Sequence, residues 1–84
     1  MPRYHLHLYD RAGGSCDEEG LELPDVESAR ARAIDGIRSI VSAEVRGGRL
    51  DLEGRVEIAD GAGSVLGAVP FSEAVELWLP EEAN

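Results

Sequence analysis

The chain has 84 residues, a length that suits one small domain. Seventeen Asp and Glu residues stand against eight basic residues, all of them arginine, and the formal net charge is −9. A surface this acidic repels phosphate backbones and anionic headgroups, so we expect neither a nucleic acid nor a membrane as a partner.

The first 23 residues predict a hairpin. Residues 3–9 alternate with a period of two, which indicates a half-buried strand. The two predicted faces are Tyr4, Leu6 and Leu8 on one side, and His5, His7 and Tyr9 on the other. Residues 10–14 (DRAGG) are of types that favour a turn, and a second strand is expected over residues 15–23. The acidic stretch at residues 17–20 predicts a bulge or an irregular edge within it.

A long helix follows. Asp25 is a suitable N-cap, the helical period begins at Val26, and Gly47-Gly48 supplies a left-handed stop. We expect Gly36 to mark a close backbone approach. The predicted apolar face consists of Val26, Ala29, Ala33, Ile37, Ile40 and Val41, with Ile34 on its flank.

The second half predicts another hairpin. Residues 55–59 and 65–69 form its strands around the glycine-rich turn at residues 60–64. A short helix is expected from Ser72 to Leu79, with Phe71 and Trp78 supplying aromatic bulk, and residues 80–84 form an acidic, frayed tail. The predicted fold class is α+β, with the order β-β-α-β-β plus a short C-terminal helix. It is one domain over residues 1–79, an antiparallel sheet of two hairpins with the long helix on one face.

Several short motifs, in a fixed order, carry a resemblance to a known family. They are MPRY at the start, the Asp10 turn, DEEG at 17–20, LPD at 23–25 followed by AR at 29–30, and VPFS at 69–72. Together they resemble a family of small bacterial domains known as domain of unknown function 6894, over about residues 1 to 77. The resemblance implies a stand-alone cytoplasmic ββαββ protein with no assigned activity. His5 departs from the aromatic residue that the family pattern leads us to expect.

A more distant similarity is topological. The order of hairpin, acidic glycine turn and alanine-rich helix is similar to that of HicB-type antitoxins, which often carry a DNA-binding segment after this unit. Residues up to Asn84 leave no room for one. Likeness of fold alone is weak evidence for function.

Two groups of side chains could carry chemistry. His5 and His7 lie two apart on one strand, so both imidazoles share a face and could supply two zinc ligands, although no third is evident. Their other interpretation is a pair of partly solvated histidines. The acidic residues around the first hairpin could hold a cation or act as acid and base, but they equally suit a solvated edge. They are Asp10, Asp17, Glu18 and Glu19.

Cys16 is the only cysteine, which excludes an internal disulfide and suits a reducing cytoplasm. Three acidic residues directly after it disfavour its thiolate. We therefore predict that the protein is not an enzyme and has neither catalytic residues nor a cofactor. We also predict that it is cytoplasmic. Arg30 falls near the apolar face of the helix by helical phase. We predict that it forms a structural ion pair with Asp17, Glu18 or Glu19.

The most favoured function is that of a non-catalytic protein-interaction or regulatory module, which binds a protein partner or a second copy. The open face of the sheet is the candidate interaction face, with His5, His7, Tyr9 and Leu66. A second mode stays open, in which Arg32, Arg38 or Arg46 of the helix meets acidic residues of a neighbouring chain. The alternative function is a small-molecule or metal-binding domain that uses His5 and His7.

Overall fold

A computed structural model describes residues 1–81, and residues 82–84 of the predicted acidic tail lie outside the described residues. The elements are β1 (Arg3–Asp10), β2 (Gly13–Ser15), β3 (Leu21–Glu22), α1 (Val26–Arg46), β4 (Arg55–Asp60), β5 (Val65–Pro70) and a 3₁₀ turn (Phe71–Ala74). One antiparallel sheet and one long helix confirm the predicted α+β class. Within residues 1–81, no helix combines the length and the apolar character that crossing a bilayer requires.

β1 is the central strand of the sheet, whose order is β2-β1-β4-β5. β4 pairs with one edge of β1 over six residues, from Tyr4↔Asp60 to Tyr9↔Arg55. On the other edge, β2 pairs with the end of β1 and β3 pairs with its beginning. Of the strand expected over residues 15–23, only Ser15 and Leu21–Glu22 pair as strand, with the irregular residues 16–20 between them, and β2 begins at Gly13 inside the predicted turn. The prediction of an irregular edge is confirmed.

Both ends of α1 are closed by local hydrogen bonds. The Asp25 carboxylate accepts from the backbone N–H and the hydroxyl of Ser28, both at 2.8 Å. At the other end, Gly48 has a φ of +89° and donates to the Val45 carbonyl, while the Arg49 N–H donates to the Glu44 carbonyl. These two bonds form a Schellman motif, so the predicted start and stop of the helix are confirmed.

The core lies between α1 and the inner face of the sheet. It consists of Tyr4, Ala29, Ala33, Ile37, Val41, Val56, Ile58, Val69, Phe71 and Ala74. Ile34 and Ile40 are partly buried against it, whereas Val26 is 42% exposed, so the apolar face of α1 begins one turn later than predicted.

The predicted C-terminal helix from Ser72 to Leu79 is wrong beyond its first turn. The 3₁₀ turn ends at Ala74, and Val75 has extended dihedrals, φ −138° and ψ 151°. Phe71 is buried as expected, but Trp78 is 85% exposed and adds nothing to the core. One turn suffices to bury Phe71 and Ala74, and Val75, whose branched side chain favours extended backbone, then ends it.

We expect Asp25→Ala to lower the thermal midpoint of unfolding at neutral pH, because the Ser28 N–H loses its acceptor. The hydrogen bonds from Ser28 hold the pKa of the Asp25 carboxyl below its usual 3.8. A lowered folded pKa means that this stabilisation is present above pH 3.8 and disappears as the pH falls through the folded pKa. Circular dichroism melts at pH 7 and in strong acid check this. Asp25→Asn keeps an acceptor and serves as the control, and equal midpoints for Asp25→Ala and wild type at pH 7 would contradict the cap.

Gly36 makes no close approach, contrary to expectation, because a Cβ built there meets nothing within 4 Å. We therefore expect Gly36→Ala to stabilise the protein by about 0.5–1 kcal/mol, since alanine loses less backbone entropy in a helix. Gly48→Ala is the matched control and should destabilise, because its φ of +89° strains any residue with a Cβ. Urea unfolding measures both changes, and a loss of stability in Gly36→Ala would refute the first.

Candidate functional site

His5 and His7 lie on the outer face of β1, away from α1. Their rings are stacked, with centroids 6.1 Å apart and planes at 21°. Both side chains are only half-buried. The strand period therefore brings the two imidazoles together as predicted.

Residues 16–20, which we call the acidic loop, hold both imidazoles through the backbone of Asp17. The Asp17 carbonyl oxygen lies 2.7 Å from His5 Nδ1, and the Asp17 nitrogen lies 3.0 Å from His7 Nδ1. A carbonyl only accepts and a backbone N–H only donates, so His5 Nδ1 carries a proton and His7 Nδ1 carries none. The two neighbouring rings therefore hold opposite protonation states at the same atom.

The Asp17 side chain closes the unpaired stretch of the β1 edge between β2 and β3. Its Oδ2 accepts from the Leu6 N–H and its Oδ1 from the Gly20 N–H, both at 3.1 Å. Burial acts to raise the pKa of this carboxyl, but the N–H groups of Leu6 and Gly20 donate to it and lower the pKa, which lies below its ordinary value. Asp17 is thus a structural carboxylate rather than a free acid or base.

Gly20 is required where the acidic loop returns to β3. Its φ is +71°, and a Cβ there would lie 2.8 Å from the Tyr4 carbonyl oxygen and 2.9 Å from His5 Cε1. A residue with a Cβ would therefore be strained here and would crowd the Tyr4 carbonyl and the His5 ring.

This arrangement limits what the histidines can bind. Both Nδ1 atoms are engaged, and neutral His7 then carries its proton on Nε2, which leaves His5 Nε2 as the available lone pair. Among residues 1–81, no three or more His, Cys, Asp or Glu side chains are grouped to hold a metal ion. An open groove of about 470 Å³ lies beside the rings, and Cys16 and residues 59–63 also line it.

The four residues of the candidate interaction face lie on two strands, with His5, His7 and Tyr9 along β1 and Leu66 on β5. Tyr9 pairs with Arg55, whose guanidinium carbon lies 4.6 Å from the centre of the Tyr9 ring and covers it. Leu66 lies at a bulge in β5, beside the Ala59↔Val65 pair. Since Ala59 is opposite His5, Leu66 shares the His5 end of the sheet and is four rows from Tyr9.

The most exposed apolar part of the sheet is β5 instead. Val65 and Leu66 are 59% and 48% exposed, and Gly67 and Ala68 are also exposed. β5 pairs with β4 along one edge, and within the described residues no strand pairs with the other. The sequence pattern alone could not find this, because only the strand order shows which strand lies at the edge.

A family comparison bears on this geometry. The family model described as Domain of unknown function (DUF6894) matches residues 3–72, which hold the helix and every strand. The chain belongs to this family. No curated protein and no solved structure matches it significantly. The likeness to HicB-type antitoxins stays a prediction from topology.

In this DUF6894 domain the predicted ion pair of Arg30 is wrong. Arg30 binds Glu73 of the 3₁₀ turn at 2.8 Å, with both side chains about half exposed. The acidic loop contacts the outer face and edge of β1, whereas α1 packs on the inner face, so the sheet separates them. A solvated pair such as Arg30–Glu73 contributes at most about 1 kcal/mol.

Asp17→Asn should destabilise the DUF6894 domain by about 1 kcal/mol at pH 7, because an amide has one oxygen for two N–H donors. The thermal midpoint should fall by roughly 4–8 °C. The difference from wild type should vanish in acid, since a group with a lowered folded pKa stabilises above its unfolded pKa and stops doing so as the pH falls through the folded one.

Calorimetric melts at pH 7 and in strong acid test this expectation. Glu18→Gln is the matched control, because Glu18 is the exposed neighbour of Asp17 and should leave the midpoint unchanged. A wild-type midpoint for Asp17→Asn at pH 7 would show that the carboxylate does not hold the loop.

Proposed function

We propose that this protein is a non-catalytic interaction or regulatory module of the cytoplasm, which binds another protein chain along the free edge of β5. The observation that carries the proposal is a solvent-exposed edge strand of six residues without a single charge (VLGAVP). Backbone N–H and C=O groups on such an edge are a ready template for an added strand.

The contrast between the two sides of the sheet supports this proposal. The β1 edge is covered by β2, β3 and the acidic loop, and Asp17 satisfies the Leu6 N–H. Within the part of the chain that the structure describes, no strand pairs with the outer edge of β5. Pro70 limits pairing at one end because it has no N–H, which leaves residues 65–69 for a partner strand.

The geometry of the groove beside His5 and His7 supports a non-catalytic role. The groove is open, and the two Nδ1 atoms already bond to the backbone of Asp17. The alternative, a small-molecule or metal site, would rely on His5 Nε2 and on breaking the His7 bond. Calorimetric titration with zinc separates the two, since heat at micromolar zinc that is lost in His5→Ala would favour the alternative.

The test of the edge proposal uses two matched variants. Leu66 and Leu50 are 48% and 47% exposed, but only Leu66 lies on β5. We expect Leu66→Asp to abolish association with a protein partner, foreign or identical, and Leu50→Asp to preserve it. Capture from native cells measures association with a foreign partner, and sedimentation of the purified chain measures association with a second copy. If no association, foreign or homotypic, distinguishes the variants, the proposal fails.

A further inference from the structure

A second uncharged element is exposed at the end of the described chain. Leu77, Trp78 and Leu79 are 52%, 85% and 75% exposed. Three consecutive large apolar side chains in water are unfavourable, and Trp78 makes almost no contact with its own domain. The match to the family ends at residue 72, so these residues lie outside it.

Hydrogen bonds hold the chain up to Ala74, three residues before Leu77. The Phe71 N–H donates to the Gly54 carbonyl at 2.9 Å, and Arg38 Nε donates to the Ala74 carbonyl at 2.7 Å. Val75 itself has extended dihedrals, φ −138° and ψ 151°.

Residues 75–79 (VELWL), which we call the tail segment, have the pattern of a strand. Val75, Leu77 and Leu79 alternate with Glu76 and Trp78, so an extended tail segment has one wholly apolar face. Its length matches the five residues of β5 that are able to pair. Within residues 1–81 no strand pairing joins the tail segment to β5. Residues 76–79 are exposed, whereas Val75 is half-buried against the core of its own chain.

We propose that the tail segment of one copy adds as a strand to the free edge of β5 in a second copy, and that the exchange is reciprocal about a two-fold axis. This inference rests on the proposed function of the β5 edge and names its occupant. Leu77 and Leu79 then extend the apolar inner layer of the partner copy, while Val75 stays packed against the core of its own copy. Trp78 lies on the outer face, over Leu66 and Ala68 of the partner copy.

Area favours a second copy as the occupant, and the absence of charged side chains on β5 limits the repulsion between two acidic copies. Each chain carries a net charge of −9, so two copies repel one another unless they meet through uncharged surfaces. β5 has no charge and the tail segment has only Glu76. Stable interfaces bury about 1,200–2,000 Å² in total. In a reciprocal exchange each contact occurs twice, so the buried area doubles, and each tryptophan contributes roughly 150–250 Å² to it.

Trp78 is the only tryptophan in the chain, so its fluorescence reports on the tail segment alone. We expect light scattering to show two-chain particles as the concentration rises from about 1 µM to about 1 mM, a range that spans weak to moderate dissociation constants. Over the same range the Trp78 emission should shift to shorter wavelength. Leu66→Asp should abolish both changes, and Leu50→Asp should preserve them.

The possible failures differ from one another. Association that is lost in Leu66→Asp but leaves the Trp78 emission unchanged would overturn the exchange of tail segments and leave the β5 edge as the binding surface. A monomer throughout the concentration range would also overturn the exchange, and the capture experiment would then decide the proposed function. Trp78→Ser offers a second check, because it should weaken association by at least tenfold while the circular dichroism spectrum stays unchanged.

Discussion

Phe71→Ala is expected to destabilise the protein by about 3–5 kcal/mol, the largest effect of a single truncation. Phe71 is 2% exposed and is among the largest fully buried side chains. It fixes the 3₁₀ turn to the core, and its N–H donates to the Gly54 carbonyl. A domain of 84 residues has roughly 4–13 kcal/mol of stability in total, so the variant loses between about a quarter and all of it.

Urea unfolding followed by circular dichroism measures this loss. Phe71→Leu is the control and should lose clearly less, because it leaves a smaller cavity. Gly54→Ala probes the same site from the opposite side, since a Cβ there would lie 2.7 Å from the Phe71 ring and 2.9 Å from the Tyr9 carbonyl oxygen. A loss below about 1 kcal/mol in Phe71→Ala would show that the ring is not a core residue.

Ile37→Ala is expected to cost about 2–5 kcal/mol. Ile37 is 0% exposed at the middle of α1, where the helix crosses the sheet. Ile37→Val should cost only about 0.5–1.5 kcal/mol, because it removes one methylene. Ile34 is a matched isoleucine on the flank of the same helix face and is only partly buried.

In thermal and urea unfolding, Ile37→Ala should therefore lose more stability than Ile34→Ala. If the Ile34 variant loses as much stability as the Ile37 variant, the helix is rotated from the orientation described. Both variants keep the helix propensity of the chain, since alanine is the strongest helix former, so the difference reports on packing.

The sequence by itself determined the elements whose bonds close within a few residues. Asp25 caps α1 through Ser28, and the Gly47-Gly48 pair ends it through carbonyls of the last turn. Asp60 closes the second hairpin turn by accepting from Ala62 and Ser64. Because donor and acceptor lie in one short window, the pattern of residues already contains the whole interaction.

Only the tertiary structure decided the contacts between distant segments. Arg30 binds Glu73, 43 positions away. The acidic loop cannot be its partner because the sheet separates that loop from α1. Arg11 likewise binds Asp51 across 40 positions and lowers the pKa of that carboxyl, a contact that no local pattern indicates. Charge pairs exert little constraint on the fold in water, so the packing of apolar faces decides which charges meet.

The candidate surfaces likewise depend partly on local sequence and partly on the tertiary structure. The period of two in β1 placed His5 and His7 on one face, but the Asp17 bonds that engage them depend on where residues 16–20 cross that face. The exposure of β5 depends on strand order, and that of Trp78 on where the 3₁₀ turn ends. Alternation and capping are local properties of the chain. Which edge stays free is a property of the whole sheet.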